Sequence, residues 1–343
     1  MMRVTTNGTL RTYRGHLARA TLNQFQSMNT VLTQRRFSSY AESPSLATQS
    51  FRLHSSYARN TAQQSMSEEM ISKFEAAGSS LQQLQNQYLD ALAAAEQGQN
   101  DTNAGARQQL GESLKGIAEG MVQTLNAQYN EKFVFAGADG DNAPFELKDG
   151  KLYFRGIDVN TTDQGELAQL AEMAEETAFV DIGLGMQLDE NEQVVPSTAF
   201  NSAISGIGLL GYGTSDGTDT GIPNNMICII AELGEIYSRA DSENGALSGT
   251  DSERAEALFG SMQDSDSNFR AQWTKLDTEA QFLKSNDTRL VSTGDTLQTQ
   301  FEGLDRVDLA DALTTFAYAQ YSYNAALRVG NDILSQSFID YMS

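Results

Sequence analysis

The chain has 343 residues, with 23 Lys plus Arg against 45 Asp plus Glu, a formal net charge of −22. That balance argues against nucleic acid and anionic membrane surfaces as partners, since both attract basic patches. One cysteine, Cys228, and two histidines, His16 and His54, exclude an internal disulfide framework, a Cys-based zinc site and a His-rich metal cluster, so neither metal nor cofactor is expected.

Residues 3–37 read as an amphipathic helix: Leu10 and Leu17 lie a heptad apart, and Leu22, Phe25, Met28 and Leu32 continue an apolar stripe. The first sixteen residues contain no apolar run of the signal-peptide kind. A break is expected at Ser38–Pro44, where Ser43 can cap a helix that opens on Pro44. That helix runs to about residue 98, with Leu46, Leu53, Phe74, Leu81, Tyr88 and Ala95 in one heptad phase and Asn60 and Ser67 weakening its middle. After a loop over 98–103, a third helix is expected over about 104–130, carrying Leu110, Leu114, Ile117, Met121, Leu125 and Tyr129.

The period then changes. Lys132–Gly137 is strand-like, and Pro144–Arg155 reads as a hairpin turning at Asp149 and Gly150. Phe179–Ile182 and Glu192–Val195 are further candidate strands, in a stretch rich in Gly, Asp and Thr. Helix resumes after Pro223, with Ile227, Ile230, Leu233, Ile236 and Tyr237, and a loop follows over 241–251. Next, Met262, Phe269, Leu276, Leu283, Leu290, Leu297 and Leu304 stand at intervals of seven, a coiled-coil register. Its second seam is mixed: Trp273, Ala280 and Phe301 suit it, Asp287 and Gly294 do not.

Val307–Ser343 reads as one last helix with two overlapping apolar seams. One runs Leu309, Ala312, Phe316, Ala319, Tyr323, Ala326, Gly330, Ile333; the other runs Leu313, Phe316, Tyr323, Leu327, Gly330, Leu334. No segment holds the roughly 18 apolar residues of a membrane span, so no membrane insertion is expected. The fold class that follows is mainly α: a long antiparallel helical coiled-coil rod built from both termini, with a small β-rich insertion in the middle. The expected parts are 1–42 with 307–343, 43–135 with 225–306, and the insertion 136–224.

Candidates for chemistry are weak. Gly206, Gly208 and Gly211 match a GxGxxG string, but no helix is expected after it, so the glycines mark turns rather than a nucleotide site. Asp216 and Asp219 lack the order of ligands of a calcium loop. Glu68, Glu69, Glu175 and Glu176 read as solvated faces, and His54 as a helix-surface residue. No catalytic residue is expected.

Four stretches carry a resemblance. Met2–Asn7 is similar to an opening "(M)RIT-N". Leu125–Gly137 followed by Pro144 and Phe145 is similar to an "N…Y…G-YVFGG…PF" helix-to-strand junction. Asp305–Ala312 is similar to "DVDLAEA", and Ala325–Tyr341 to an "AAL…KILQ-SLLDYL" ending. In this order and spacing they resemble the flagellin superfamily, and within it the hook-associated proteins of the junction between hook and filament. Phe37–Pro44 departs from the family: the glycine usual between its first two helices is lost, and the acidic pair is reduced to Glu42. The resemblance implies a structural protein, not an enzyme, exported by the flagellar pathway without a cleaved signal peptide and assembled outside the cell. It implies self-association, contact with a second hook-associated junction protein and with flagellin, and an export chaperone. The expected interface residues are Leu10, Leu17, Phe25, Leu313, Phe316, Tyr323, Leu327, Leu334 and Phe338. Filament flagellin, a secreted effector acting through 136–224, and an outward binding module are the alternatives.

Overall fold

The computed structural model describes residues 6–36, 43–100, 104–148, 150–218, 220–241 and 245–342; for residues 6, 7, 104, 105 and 334–342 it describes the backbone only. The fold is mainly helical. Helices α1 (Thr6–Thr33), α2 (Pro44–Asn100) and α3 (Ala104–Leu125) precede a region of short strands, and α7 (Gly249–Asp305) and α8 (Leu309–Met342) close the chain. Among the described residues between them are nine strands of two to four residues and three shorter α-helices, α4 (Gln164–Ala174), α5 (Gly206–Leu210) and α6 (Met226–Ser238). The chain divides into two compact units, residues 1–61 with 291–343 and residues 62–290.

In the larger unit α2 and α7 run antiparallel. Tyr88 Oη donates to the Met262 carbonyl (2.9 Å), Gln85 bonds Asp266 (3.1 Å), and Lys284 pairs with Glu75 (2.8 Å). The α2 seam alternates steps of three and four through Phe74, Ala77, Leu81, Leu84, Tyr88, Ala91 and Ala95, all buried. On α7 the sevenfold series is buried from Met262 to Leu290. Burial pushes the Tyr88 phenol up to about 12, as expected of a hydroxyl committed to donating in an apolar seam. The polar positions that interrupt the pattern are real: Ser67 Oγ and Asp287 Oδ1 are buried and have no hydrogen-bond partner among the described residues.

Helix α6 is buried on nearly every side, which its continuous apolar run requires. It opens on Asn225, whose Oδ1 accepts from Ile227 N (3.0 Å) and whose Nδ2 donates to the Gly211 carbonyl (2.9 Å). It crosses α3 where Gly111 meets Gly234: a Cβ at Gly111 would stand 2.8 Å from the Gly234 carbonyl oxygen. Cys228 lies inside this helix, and burial pushes its thiol well above the usual range.

The third helix ends at Leu125, five residues before its expected end. Strands β1 (Gln128–Tyr129) and β2 (Lys132–Phe133) form a hairpin instead, turning through Asn130 and Glu131, both at positive φ (50° and 64°). Positive φ at both turn residues matches the twist of the flanking strands. The expected second hairpin forms as β4 (Phe145–Lys148) against β5 (Lys151–Phe154), with β6 (Ile157–Asp158) as a third strand; Asp149 lies outside the described residues. Strands β3 (Ala136–Gly137) and β9 (Ile204–Ser205) pair, as do β7 (Phe179–Val180) and β8 (Phe200–Asn201). Glu192–Val195 contributes only a bridge between Val194 and Leu188.

Two expectations need correction. Gly206 and Gly208 do not mark turns: they lie in the short helix α5, where Phe145 and the Ala174 carbonyl leave no room for a side chain, and Gly211 ends it at φ 85°. Glu176 is not a solvated residue. It binds Arg155 with both oxygens (2.7 and 2.9 Å) and accepts from Ala138 N (2.9 Å). It thereby ties the hairpin to the segment after α4.

In the smaller unit α1 packs antiparallel on α8, and the first residues of α2 run antiparallel to the end of α7, with Asn60 against Gly294 and the His54 ring edge-on to Phe301 at 5.9 Å. His54 is exposed apart from that contact.

Candidate assembly interface

The α1–α8 pair is clamped where both helices leave the α2–α7 part of the same unit. Arg36 N donates to the Asp305 carbonyl (2.8 Å) and Val307 N to the Gln34 carbonyl (3.1 Å), a short antiparallel bridge. Arg35 pairs with the Asp305 carboxylate at 3.3 Å. Asp308 then caps α8, its Oδ1 accepting from Ala310 N (2.8 Å). The Asp305–Ala312 motif therefore has a local physical meaning: Asp305 closes the bridge and Asp308 starts the helix.

Beyond the clamp each helix has a covered and an uncovered side. On α8 the covered side is the seam of small residues: Ala312 and Gly330 are buried, and Phe316, Ala319, Tyr323 and Ala326 are partly so. At Gly330 the space a Cβ would need is taken by the Tyr13 ring and hydroxyl. On α1 the covered side is Leu10, Tyr13, Leu17, Ala20, Gln24, Ser27 and Val31, in steps of three and four. Ala20, Gln24 and Ser27 make the middle of this seam small or polar. An open groove of about 540 Å³ remains between the two helices, lined by Ala20, Asn23, Ser27, Thr315, Ala319 and Ser322 among others.

Other large apolar side chains of the two helices are left uncovered. Phe25 is 60% exposed and Leu32 73%; Leu22 and Met28 are exposed beside them. On α8, Leu313 is 48% exposed and Leu327 42%, with Leu309, Tyr318, Tyr321 and Val329 also exposed.

The expected interface residues whose side chains are described separate into two sets. Leu10, Leu17, Phe316 and Tyr323 belong to the contact inside the chain. Phe25, Leu313 and Leu327 lie uncovered. The side chains of Leu334 and Phe338 lie outside the described residues. Leu22, Met28 and Leu32 are legible as a stripe, but only the structure puts them on the free side with Phe25. Tyr318, Tyr321 and Val329 fall in neither seam and give no periodic signal.

Burial holds the carboxyls of Glu279 and Asp287 above the ordinary range, Asp287 with help from the neighbouring Glu68 charge. Among the described residues, no cluster of three or more His, Cys, Asp or Glu could hold a metal ion, and no helix is long and apolar enough to cross a membrane. Asp219 lies outside the described residues.

No protein-family model matches the sequence, and no curated protein matches it. Solved structures do. A candidate flagellar hook-associated protein from Vibrio parahaemolyticus superposes with a TM-score of 0.58 at 15% identity, over 77% of this chain and 100% of that one. The chain shares its fold with this candidate hook-associated protein. FlgL of Bacillus cereus matches at a TM-score of 0.48 with 14% identity, over 73% of this chain and 99% of that one. FlgL of Xanthomonas campestris matches at 0.43 with 13% identity, over 71% and 99%. At 15% identity the likeness to the Vibrio protein is one of fold.

Proposed function

We propose that this chain is a structural subunit of the bacterial flagellum that assembles through α1 and α8, at the junction between hook and filament. The observation that carries the reading is the two-sided α1–α8 pair. Its inner contact has small or polar residues at Ala20, Gln24, Ser27, Ala312, Ala319, Ala326 and Gly330, while Phe25, Leu32, Leu313 and Leu327 are exposed. Free apolar surface on both helices of a terminal pair is surface for further copies. The shared fold with a hook-associated protein supports the same reading.

Residues 1–42 with 307–343 then form the assembling part, 43–135 with 225–306 the rod, and 136–224 the outward part. The partners are further copies, a second hook-associated junction protein and flagellin, with an export chaperone before assembly. The chain reaches the cell exterior through the flagellar export apparatus and has no catalytic role.

The experiment is a chromosomal replacement in the source organism, with the protein located by immunogold labelling. Label confined to a short zone between hook and filament is expected, and it should vanish when residues 310–343 are deleted. Label along the whole filament would make the chain a filament flagellin. Normal filaments in the deletion strain would sink the assembly reading altogether.

A further inference from the structure

The net charge of −22 conceals a division of sign. Residues 1–61 contain eight arginines and one acidic residue, Glu42, for a net charge of +7; the remaining 282 residues carry −29. The acidic excess lies almost wholly in the larger unit, where residues 62–290 carry −24. The basic residues of the first 61 are all arginine.

These arginines are not consumed within the chain. Arg11, Arg14 and Arg19 on α1, and Arg52 and Arg59 on α2, are exposed and make no ion pair with a described residue. Arg35, by contrast, is held by Asp305. Arg11 and Arg14 sit one turn apart, and at 100° per residue their side of α1 is also that of Leu22, Phe25 and Leu32. The uncovered face of α1 is therefore cationic in its first half and apolar in its second. Arg52 and Arg59 repeat at a heptad on α2, beside the exposed Phe51.

We infer that this arginine face docks on the acidic residues 62–290 of a second copy of the chain, so that copies associate head to body. The inference deepens the assembly reading above and rests on it. The physics discriminates between arrangements. Two copies meeting body to body bring −24 against −24, and two arginine faces meeting each other also repel. Only unlike regions attract. A contact between different patches on successive copies is heterologous, and such contacts propagate into rings or open helical arrays rather than closing at two. Arginine suits the task because its guanidinium binds carboxylates with two parallel hydrogen bonds and is weakly hydrated.

The test is the sign of the salt dependence. For chains of net charge −22 with no such contact, added salt screens mutual repulsion and speeds association. For head-to-body docking, salt screens the attraction and slows it. Association of the full-length protein is followed by light scattering and sedimentation between roughly 50 and 500 mM NaCl, over which the screening length falls from about 14 to 4 Å. Slowing of about tenfold or more is expected. The triple variant Arg11→Glu, Arg14→Glu, Arg19→Glu should associate about tenfold more slowly at low salt and no differently at high salt, with the melting of the larger unit unchanged. The milder Arg→Gln series should fall between.

Acceleration by salt, or a triple variant that associates like the native chain, would overturn the proposal while leaving the assembly reading intact. Absence of association at every salt and protein concentration would sink both. If the arginines instead bind phosphatidylserine vesicles or DNA, with no effect of their substitution on self-association, the partner is an anionic surface and not a second copy.

Discussion

Asn126 and Phe145 exchange two hydrogen bonds: Asn126 Nδ2 donates to the Phe145 carbonyl (2.8 Å) and Phe145 N donates to Asn126 Oδ1 (3.1 Å). The side-chain amide completes the backbone pairing of a strand edge from just beyond the end of α3. The Phe145 ring then packs on Phe154 at 4.9 Å and lies over Gly206. Leaving both backbone groups of a buried strand residue unpaired costs about 1–3 kcal/mol. Asn126→Ala should lower the stability of the full chain by that amount in urea unfolding. Asn126→Asp keeps the acceptor but sets a carboxylate oxygen against the Phe145 carbonyl, so it should not restore the native stability. A loss under about 0.5 kcal/mol for the alanine variant would mean that water replaces the clamp without penalty.

The closeness of Tyr13 to Gly330 makes a second prediction. Gly330→Leu places a branched side chain where the Tyr13 ring lies and should loosen α1 from α8. Amide exchange along α1 should quicken, while the melting of residues 62–290 stays as it was. Tyr13→Ala removes the obstacle, so the double variant should recover much of the protection. Additive losses would show that the two residues do not share one site.

The two sides of α8 should respond differently to charge. Leu313→Asp with Leu327→Asp alters exposed positions, so monomer stability should change by less than about 0.5 kcal/mol per site. Assembly should nonetheless be lost. Phe316→Asp, on the covered side, should free α1 in the monomer, read as rapid proteolysis of the terminal segments. If the leucine pair and Phe316 behave alike in the monomer, the division into covered and free faces is wrong.

Asp287 offers a pH test. Burial, then the nearby Glu68 charge, raises its folded value above the unfolded value of about 3.9. Its contribution to stability is therefore fully present below the unfolded value and is lost as pH rises through the folded one. Asp287→Asn removes that loss. The variant should melt above the native protein at about pH 7, with the advantage shrinking toward about pH 4. An advantage independent of pH would point to packing and not to charge.

The long helices are legible because their seams repeat. The sevenfold series on α7 is buried from Met262 to Leu290, and Pro44 opens α2 as its restricted geometry requires. The companion seam on α2 is harder to see, because Ala77, Ala91 and Ala95 carry little hydrophobic signal and are buried by position rather than by size. The end of α3 is not legible for a different reason. Asn130 and Glu131 make a tight turn without the glycine that ordinarily announces one.

Both seams of α8 are visible in the sequence, yet periodicity does not say which faces α1. Hydrophobicity alone would bury Leu313 and Leu327. The structure buries Ala312 and Gly330, since small residues let a second helix come close enough for Tyr13 to lie over the backbone. The covered face of α1 is hidden for the matching reason. Gln24 and Ser27 sit in its seam, while Phe25 and Met28 beside them carry the stronger hydrophobic signal.

Cys228 supplies a practical consequence. The molecule's one thiol is enclosed within α6 and held protonated by its surroundings, so it should stay silent toward maleimides while the fold is closed. A cysteine introduced at position 25 or 327 becomes the sole reactive handle of the native chain. Spin labels or crosslinkers placed there can measure spacings between neighbours in the assembled state, with no need to remove the natural sulfur first. Labelling at Cys228 itself marks molecules that have opened, giving each preparation its own internal gauge of unfolding.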